Sequence, residues 1–107
     1  MIYPSELELL TFFGTDLQRS DEVTLFRVTD TAGVRLDFSF NEADDSVQTA
    51  LYVAGRCICL VSHERMSRFW VDDGTLRAEF TSTDYAVALS IHLQPEIRVE
   101  WSGLRSS

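Results

Sequence analysis

The chain has 107 residues, of which 45% are hydrophobic and 11% aromatic, so it can build a core without metals or disulfides. This composition excludes a disordered linker, and no apolar run reaches the roughly 18 to 20 residues that a membrane-spanning helix needs. Seventeen acidic residues against nine basic ones give a formal net charge of −8. Because such a surface repels phosphate backbones, the sequence argues against direct nucleic-acid binding.

The cysteines and the N-terminus both bear on the compartment. Cys57 and Cys59 are the only cysteines, and neighbours on one extended segment are badly placed to bridge each other. The N-terminal stretch carries Glu6 where a signal peptide needs basic residues. We therefore expect a cytoplasmic protein with reduced cysteines, folded as a single domain over residues 1–107.

The first predicted element is a short helix over about residues 5–13. Ser5 is a preferred N-cap residue, and Glu8 stands three positions later, as a capping box requires. Gly14 supplies a left-handed stop. A helix this short is not stable alone, so we expect it to plug an open end of the sheets or to cover a sheet face. Its apolar stripe consists of Leu7, Leu9, Leu10, Phe12 and Phe13.

After a polar stretch at residues 15–21, the apolar period changes from helical spacing to the alternation of strands. Turn residues at 30–33 and at 72–74 indicate hairpins. The segment 57–61 is apolar on both faces, so we expect it to lie in the centre of its sheet with its cysteines in the core. The predicted strands cover residues 22–29, 34–41, 47–53, 57–61, 67–71, 75–80, 85–93 and 97–101.

One helix followed by about seven or eight antiparallel strands predicts a mainly β (α+β) fold. Parallel α/β folds are excluded, because their strands need crossover helices between them. This number of short strands exceeds what one flat sheet usually holds. We therefore expect a curved sheet or a two-layer sandwich.

The residues that could carry catalysis or bind a metal do not form a recognisable site. Cys57, Cys59 and His63 are spaced like metal ligands, but a structural zinc site takes four ligands, usually in paired clusters. The other histidine, His92, falls on a different predicted strand. Residues 62–64 (Ser-His-Glu) have the residue types of a hydrolytic triad, yet consecutive strand residues point to opposite faces. The sequence therefore predicts no enzyme, no metal and no cofactor.

Acidic residues gather in two predicted turns, where they are either simply solvated or form a patch for a basic protein. A net charge of −8 on a small domain steers a cationic partner and raises its on-rate. Phe69 and Trp70 are consecutive, so one faces outward as an interface anchor unless a second layer buries both. The predicted partner-binding residues are Glu42, Asp44, Asp45, Trp70, Asp72 and Asp73.

Three segments match the outline of a group of small bacterial proteins: Phe12-Phe13-Gly14, Asp21-Glu22-Val23-Thr24-Leu25 and Leu51-Tyr52-Val53-Ala54-Gly55. Through them the chain resembles the immunity proteins of polymorphic and contact-dependent toxin systems. Ser20-Asp21 stands where the outline has a His-Asp pair. The resemblance implies a stoichiometric inhibitor of a cognate toxin, and the acidic surface fits a basic toxin such as a nuclease.

Other functions stay open at this point. A small-ligand-binding or enzyme-accessory domain would have an apolar cavity of several hundred Å³ with a few polar groups, around Tyr85, His92 and Trp101. An interaction module would form a homodimer through an exposed strand edge. A phage-encoded inhibitor of bacterial defence would share the profile of an immunity protein.

Overall fold

One helix and nine antiparallel strands in two sheets make up the protein, in a computed structural model that describes residues 1–103. The predicted mainly β fold class is confirmed. The helix α1 spans Glu6–Phe13. The strands are β1 Leu17–Ser20, β2 Val23–Thr29, β3 Val34–Asn41, β4 Ser46–Val53, β5 Arg56–His63, β6 Arg68–Asp72, β7 Thr75–Thr81, β8 Ala86–His92 and β9 Arg98–Ser102.

Each sheet is an antiparallel meander. The first sheet has the order β1-β2-β3-β4-β5 and the second the order β6-β7-β8-β9. Both predicted hairpins are present, between β2 and β3 and between β6 and β7. In the second, Asp73 (φ 49°) and Gly74 (φ 76°) both adopt positive φ, the conformation that tight hairpins between twisted strands favour.

The two sheets pack face to face around an aromatic core. Phe38 and Phe40 of β3 meet Phe69 of β6, with ring centroids 6.0 and 5.4 Å apart. On the other side of the core, the Trp101 indole N–H of β9 donates to the Thr49 hydroxyl of β4 at 3.0 Å. The core therefore joins both sheets, and the predicted two-layer sandwich is the form observed.

The capping box predicted for α1 is formed. The Glu8 backbone N–H donates to the Ser5 hydroxyl and the Ser5 N–H donates to Glu8 Oε1, both at 3.1 Å. Gly14 takes a left-handed conformation (φ 68°), and its N–H donates to the Leu10 carbonyl at 2.8 Å. These local bonds fix both ends of the helix.

Helix α1 packs against β2 and β6, which belong to different sheets. It buries Leu9 and Phe13, which stand four residues apart, and Phe13 stacks on Phe26 with ring centroids 4.6 Å apart. Leu7, predicted as part of the buried stripe, is instead 73% exposed. The apolar surface of the helix is thus wider than the part that the core covers.

The strand β1 and the C-terminal end differ from the prediction. Residues 15–21 were expected to form a polar stretch, but Leu17–Ser20 pair with β2 as an edge strand. Only Leu17 packs on the core, which explains why alternation is weak there. The frayed end was expected from Ser102, which instead ends β9; residues 104–107 lie outside the described part.

The prediction that β5 is central is wrong. The strand pairs only with β4 and forms the far edge of the first sheet. Cys57 and Cys59 are exposed rather than in the core, and Ile58 between them is 61% exposed. The second sheet has four strands and the first has five, and the second sheet reaches β5 near the end of that strand. There the His63 ring contacts Phe80 at a centroid distance of 4.7 Å.

Candidate partner-binding surfaces

The two acidic turns predicted from the sequence lie at opposite ends of the sandwich. At the β3–β4 end, the Asp45 carbonyl accepts from the Met66 N–H at 2.9 Å, just before β6 begins. At the β6–β7 end, Asp30 of the β2–β3 turn accepts from the Ile97 N–H at 2.9 Å. Since β6 runs between these ends, its length of about 15 Å separates Asp72 from the β3–β4 turn.

Several carboxylates gather around the β3–β4 turn. Glu42 lies beside Glu22, because its N–H donates to the Glu22 carbonyl at 3.4 Å. Asp21, Glu22 and Glu42 together line a recess of about 390 Å³. Sequence reasoning missed Asp21 and Glu22, since twenty residues separate them from the β3–β4 turn and only the strand pairing brings them together. Asp44 and Asp45 complete the group.

Asp45 has a structural partner at this end. The half-buried Tyr3 hydroxyl donates to Asp45 Oδ1 and ties the N-terminal segment to the β3–β4 turn. Burial raises the pKa of Tyr3, and so do this hydrogen bond and the negative charges of Asp45, Glu42 and Asp44. Of the three predicted residues, Glu42 and Asp44 are therefore the exposed carboxylates that a partner can reach.

The β6–β7 hairpin places Asp72 and Asp73 at the other end of the sandwich, with Trp70 nearby on β6. Phe69 is buried and Trp70 lies half-buried on the outer face of β6, so the two alternate as expected for a strand. The Arg68 guanidinium stacks over the Trp70 ring, 3.9 Å from its centroid. Asp72, two residues further, shares this outer face, and Asp73 is exposed at the turn.

An apolar recess of about 780 Å³ opens at the β6–β7 end, between α1 and the connection from β8 to β9. Its polar lining includes Glu8, Thr11 and Asp30, and none of the described residues that line it is basic. No sequence pattern predicts this recess, because its walls come from four separate segments: α1, the β2–β3 turn, the β6–β7 hairpin and the β8–β9 connection. Its apolar walls are formed by Leu7, Phe12, Val28, Val71, Leu93 and Ile97.

This recess does not lie around Tyr85, His92 and Trp101, where the sequence predicted a ligand cavity. Tyr85 lines a different recess of about 710 Å³, at the β3–β4 end. Trp101 packs against the core, and its ring lies 5.7 Å from Phe80. The His92 ring nitrogen Nδ1 lies 3.3 Å from the Thr75 hydroxyl on the neighbouring strand.

Asp30 holds the rim of the apolar recess. Its Oδ1 accepts from the N–H groups of Ala32 and Val34, both at 2.9 Å, and its Oδ2 accepts from the Ile97 N–H. The bond from Ile97, followed by that from Val34, lowers the pKa of Asp30. The side chain thereby ties the β2–β3 turn to the β8–β9 connection.

Several charges on the sheet faces form ion pairs. Asp37 accepts from the Nε and Nη2 atoms of Arg27 at 2.9 and 3.0 Å, and Arg35 Nε lies 3.2 Å from it. Further ion pairs join Arg68 to Glu79 and Arg98 to Glu100. Within residues 1–103, none of the predicted acids Glu42, Asp44, Asp45, Asp72 and Asp73 forms an ion pair, so the turns carry much of the negative surplus.

The residues considered for metal binding or catalysis are dispersed. Cys57 and Cys59 are free thiols on the exposed edge strand, and His63 Nδ1 lies 2.9 Å from the Glu64 carbonyl. Over residues 1–103, no three His, Cys, Asp or Glu side chains come together as ligands for a metal ion. The helix found in this part of the chain is too short to cross a membrane.

Comparison with solved structures finds a chain of similar fold. The fold is similar to that of a chain in the contact-dependent growth inhibition toxin–immunity protein complex from Klebsiella pneumoniae 342, with a TM-score of 0.87. The two chains are 24% identical, and the match covers 95% of this chain and 96% of the other. No family model and no curated protein matches. The likeness establishes the fold, and it agrees with the resemblance to immunity proteins drawn from the sequence.

Proposed function

We propose that this protein is a non-enzymatic immunity protein, which neutralises a basic toxin, such as a nuclease, by forming a stoichiometric complex in the cytoplasm. The proposal is supported by the fold that this chain shares, over nearly its whole length, with a chain from a toxin–immunity protein complex. That complex contains a toxin and an immunity protein. The net charge of −8 of the present chain supports the immunity role. A nuclease needs a basic surface to hold nucleic acid, and its inhibitor needs the opposite charge.

Binding, not chemistry, is the proposed mechanism. The exposed carboxylates Glu42, Asp44, Asp72 and Asp73 attract a cationic toxin over a distance and raise the rate of encounter. Asp45 adds charge while its side chain holds Tyr3. Trp70 offers a rigid aromatic surface of the kind that is enriched at interface hot spots. Once docked, the protein blocks the active site or the substrate path of the toxin.

Co-expression tests this proposal directly. The product of the gene immediately upstream, which we expect to contain a toxin domain, is expressed alone and together with this chain, and growth is recorded. We expect the toxin to arrest growth, and this chain to restore growth and to co-purify with the toxin. Continued arrest, or the absence of any basic protein in the purified material, would contradict the proposal.

A second candidate is a small-ligand-binding domain, and the recess of about 780 Å³ is the observation that favours it. This function predicts a bound small molecule in protein isolated from its natural host. Native mass spectrometry would show the molecule as an added mass that is lost on denaturation. A single unliganded mass would count against it.

A further inference from the structure

We infer that the toxin docks at the β6–β7 end, where an apolar side chain of the toxin inserts into the recess between α1 and the sandwich. Basic residues that flank this side chain then meet the carboxylates of the rim. The inference rests on the proposed function and assigns it to one end of the molecule.

The β6–β7 end carries apolar surface that the core leaves unfilled. Leu7 is 73% exposed although it belongs to the apolar stripe of α1, and it lines the recess with Phe12 of the same helix. Val71 and Leu93 form walls on the second sheet. Interface hot spots are side chains that fill such pockets near the centre of a contact. A volume of about 780 Å³ is ample for one aromatic or long aliphatic side chain.

The charges around the recess are complementary to a basic partner. Asp73 is next in sequence to the lining residue Gly74, and Glu96 lies between the lining residues Pro95 and Ile97. Asp72 adds charge nearby, from the outer face of β6. All three carboxylates are exposed. Since none of the described lining residues is basic, the rim favours a cationic partner and disfavours an anionic ligand.

Hydrogen bonds hold the recess in shape before binding. Asp30 fixes the rim through three backbone hydrogen bonds, and the capping box fixes the first turn of α1. A preorganised site loses less conformational entropy on binding than a mobile one.

The opposite end offers charge without such a pocket. Its larger recess mixes polar side chains such as Ser39 and Gln48 with apolar ones such as Val23, and the basic Arg65 also lines it. Its smaller recess is lined by Asp21, Glu22 and Glu42 together with Arg19 and Thr24. We therefore assign long-range attraction to the β3–β4 end and the docking contact to the β6–β7 end.

The substitution Thr11→Arg tests the recess. Thr11 is exposed on α1 and lines the recess, so arginine there occupies the space and adds a positive charge. Arginine is also a good helix former, which protects the fold. Gln48→Arg on the exposed surface of β4 makes the same change of charge and is the matched control. Calorimetric titration with the upstream-encoded toxin domain should show affinity weakened at least about ten-fold by Thr11→Arg and less than about three-fold by Gln48→Arg.

A second pair of variants tests the rim. Asp72→Asn with Asp73→Asn removes two charges at the docking end, and asparagine tolerates the positive φ of Asp73. Glu42→Gln with Asp44→Asn removes two charges at the other end. We expect the first pair to weaken binding more than the second.

Three results would overturn the inference. If Thr11→Arg binds like the wild type, or if the Glu42 and Asp44 pair has the larger effect, the docking end is wrong while the proposed function stands. If the wild-type protein does not bind the toxin, the proposed function fails and takes the inference with it. Thermal unfolding of each variant confirms that a loss of affinity is not a loss of fold.

Discussion

Asp30 illustrates how a single turn residue connects distant parts of this protein. Its carboxylate accepts two hydrogen bonds within its own turn and one from Ile97, sixty-seven residues away. The turn bonds follow from the local sequence, because aspartate commonly begins such turns. The bond to Ile97 depends on how the two sheets stack, so no sequence pattern predicts it.

The hydrogen bonds of Asp30 make stability depend on pH. Because they lower its pKa, the ionised side chain stabilises the fold above the pKa of the unfolded chain, about 3.9. This stabilisation is lost as the pH falls through the lower folded-state pKa. We expect Asp30→Asn to unfold at a lower urea concentration than the wild type at neutral pH, and the two to converge in acid. The control is Asp44→Asn in another turn, which should change little; a gap for Asp30→Asn that persists at every pH would refute the argument.

The hydrogen bond between Trp101 and Thr49 provides a second test at this scale. The Trp101→Phe substitution leaves the buried Thr49 hydroxyl without its donor and should cost about 1–2 kcal/mol of unfolding free energy. Thr49→Val removes the other partner at nearly constant shape. We expect the double variant to lose less than the sum of the two single losses, measured by urea denaturation. Strict additivity would show that the bond does not contribute.

At the scale of elements, the predictions succeeded where local chemistry decides. Helix α1 begins after Ser5 and ends before Gly14 because a capping box and a left-handed glycine act over a few residues. The position of β5 was predicted wrongly because an apolar segment has the same sequence pattern whether it is covered on both sides or exposed at an edge. The strand β1 was missed because a short edge strand tolerates polar residues on both faces.

The exposed edge strand β5 predicts self-association at high concentration. Ile58 and Leu60 are 61% and 55% exposed, and no strand of residues 1–103 covers the outer edge of β5. Two copies that each carry a charge of −8 repel, so a homodimer should become more populated as salt screens them. Sedimentation at several concentrations should show this, and Leu60→Lys should abolish it while the control Gln48→Lys should not. A wild type that stays monomeric at high salt would refute the prediction.

For the molecule as a whole, the sequence located the acidic turns but not their arrangement. Asp-Gly and Asn-Glu-Ala-Asp-Asp stretches mark turns, so the exposure of Asp72, Asp73, Glu42 and Asp44 could be predicted. Their separation at two ends follows from the direction of β6 relative to the first sheet. The apolar recess could not be predicted, since it is formed by segments that meet only in the folded protein.

The charge of the whole molecule predicts how salt affects toxin binding. If the exposed carboxylates Glu42, Asp44, Asp72 and Asp73 attract the toxin over a distance, as we propose, the association rate should fall at least about ten-fold from low to high ionic strength. The dissociation rate should change less, since it reflects the docked contact. Stopped-flow measurements would separate the two rates. An association rate that is independent of salt would contradict the electrostatic part of the account.

The central claim is that the protein acts by occupying its toxin, molecule for molecule. It is tested most directly by measuring the activity of the upstream-encoded toxin domain while increasing amounts of this chain are added. The account predicts that activity falls in proportion to the amount added and vanishes when the two are equimolar. Full activity in the presence of excess chain, or complete loss of activity at a small fraction of an equivalent, would contradict it.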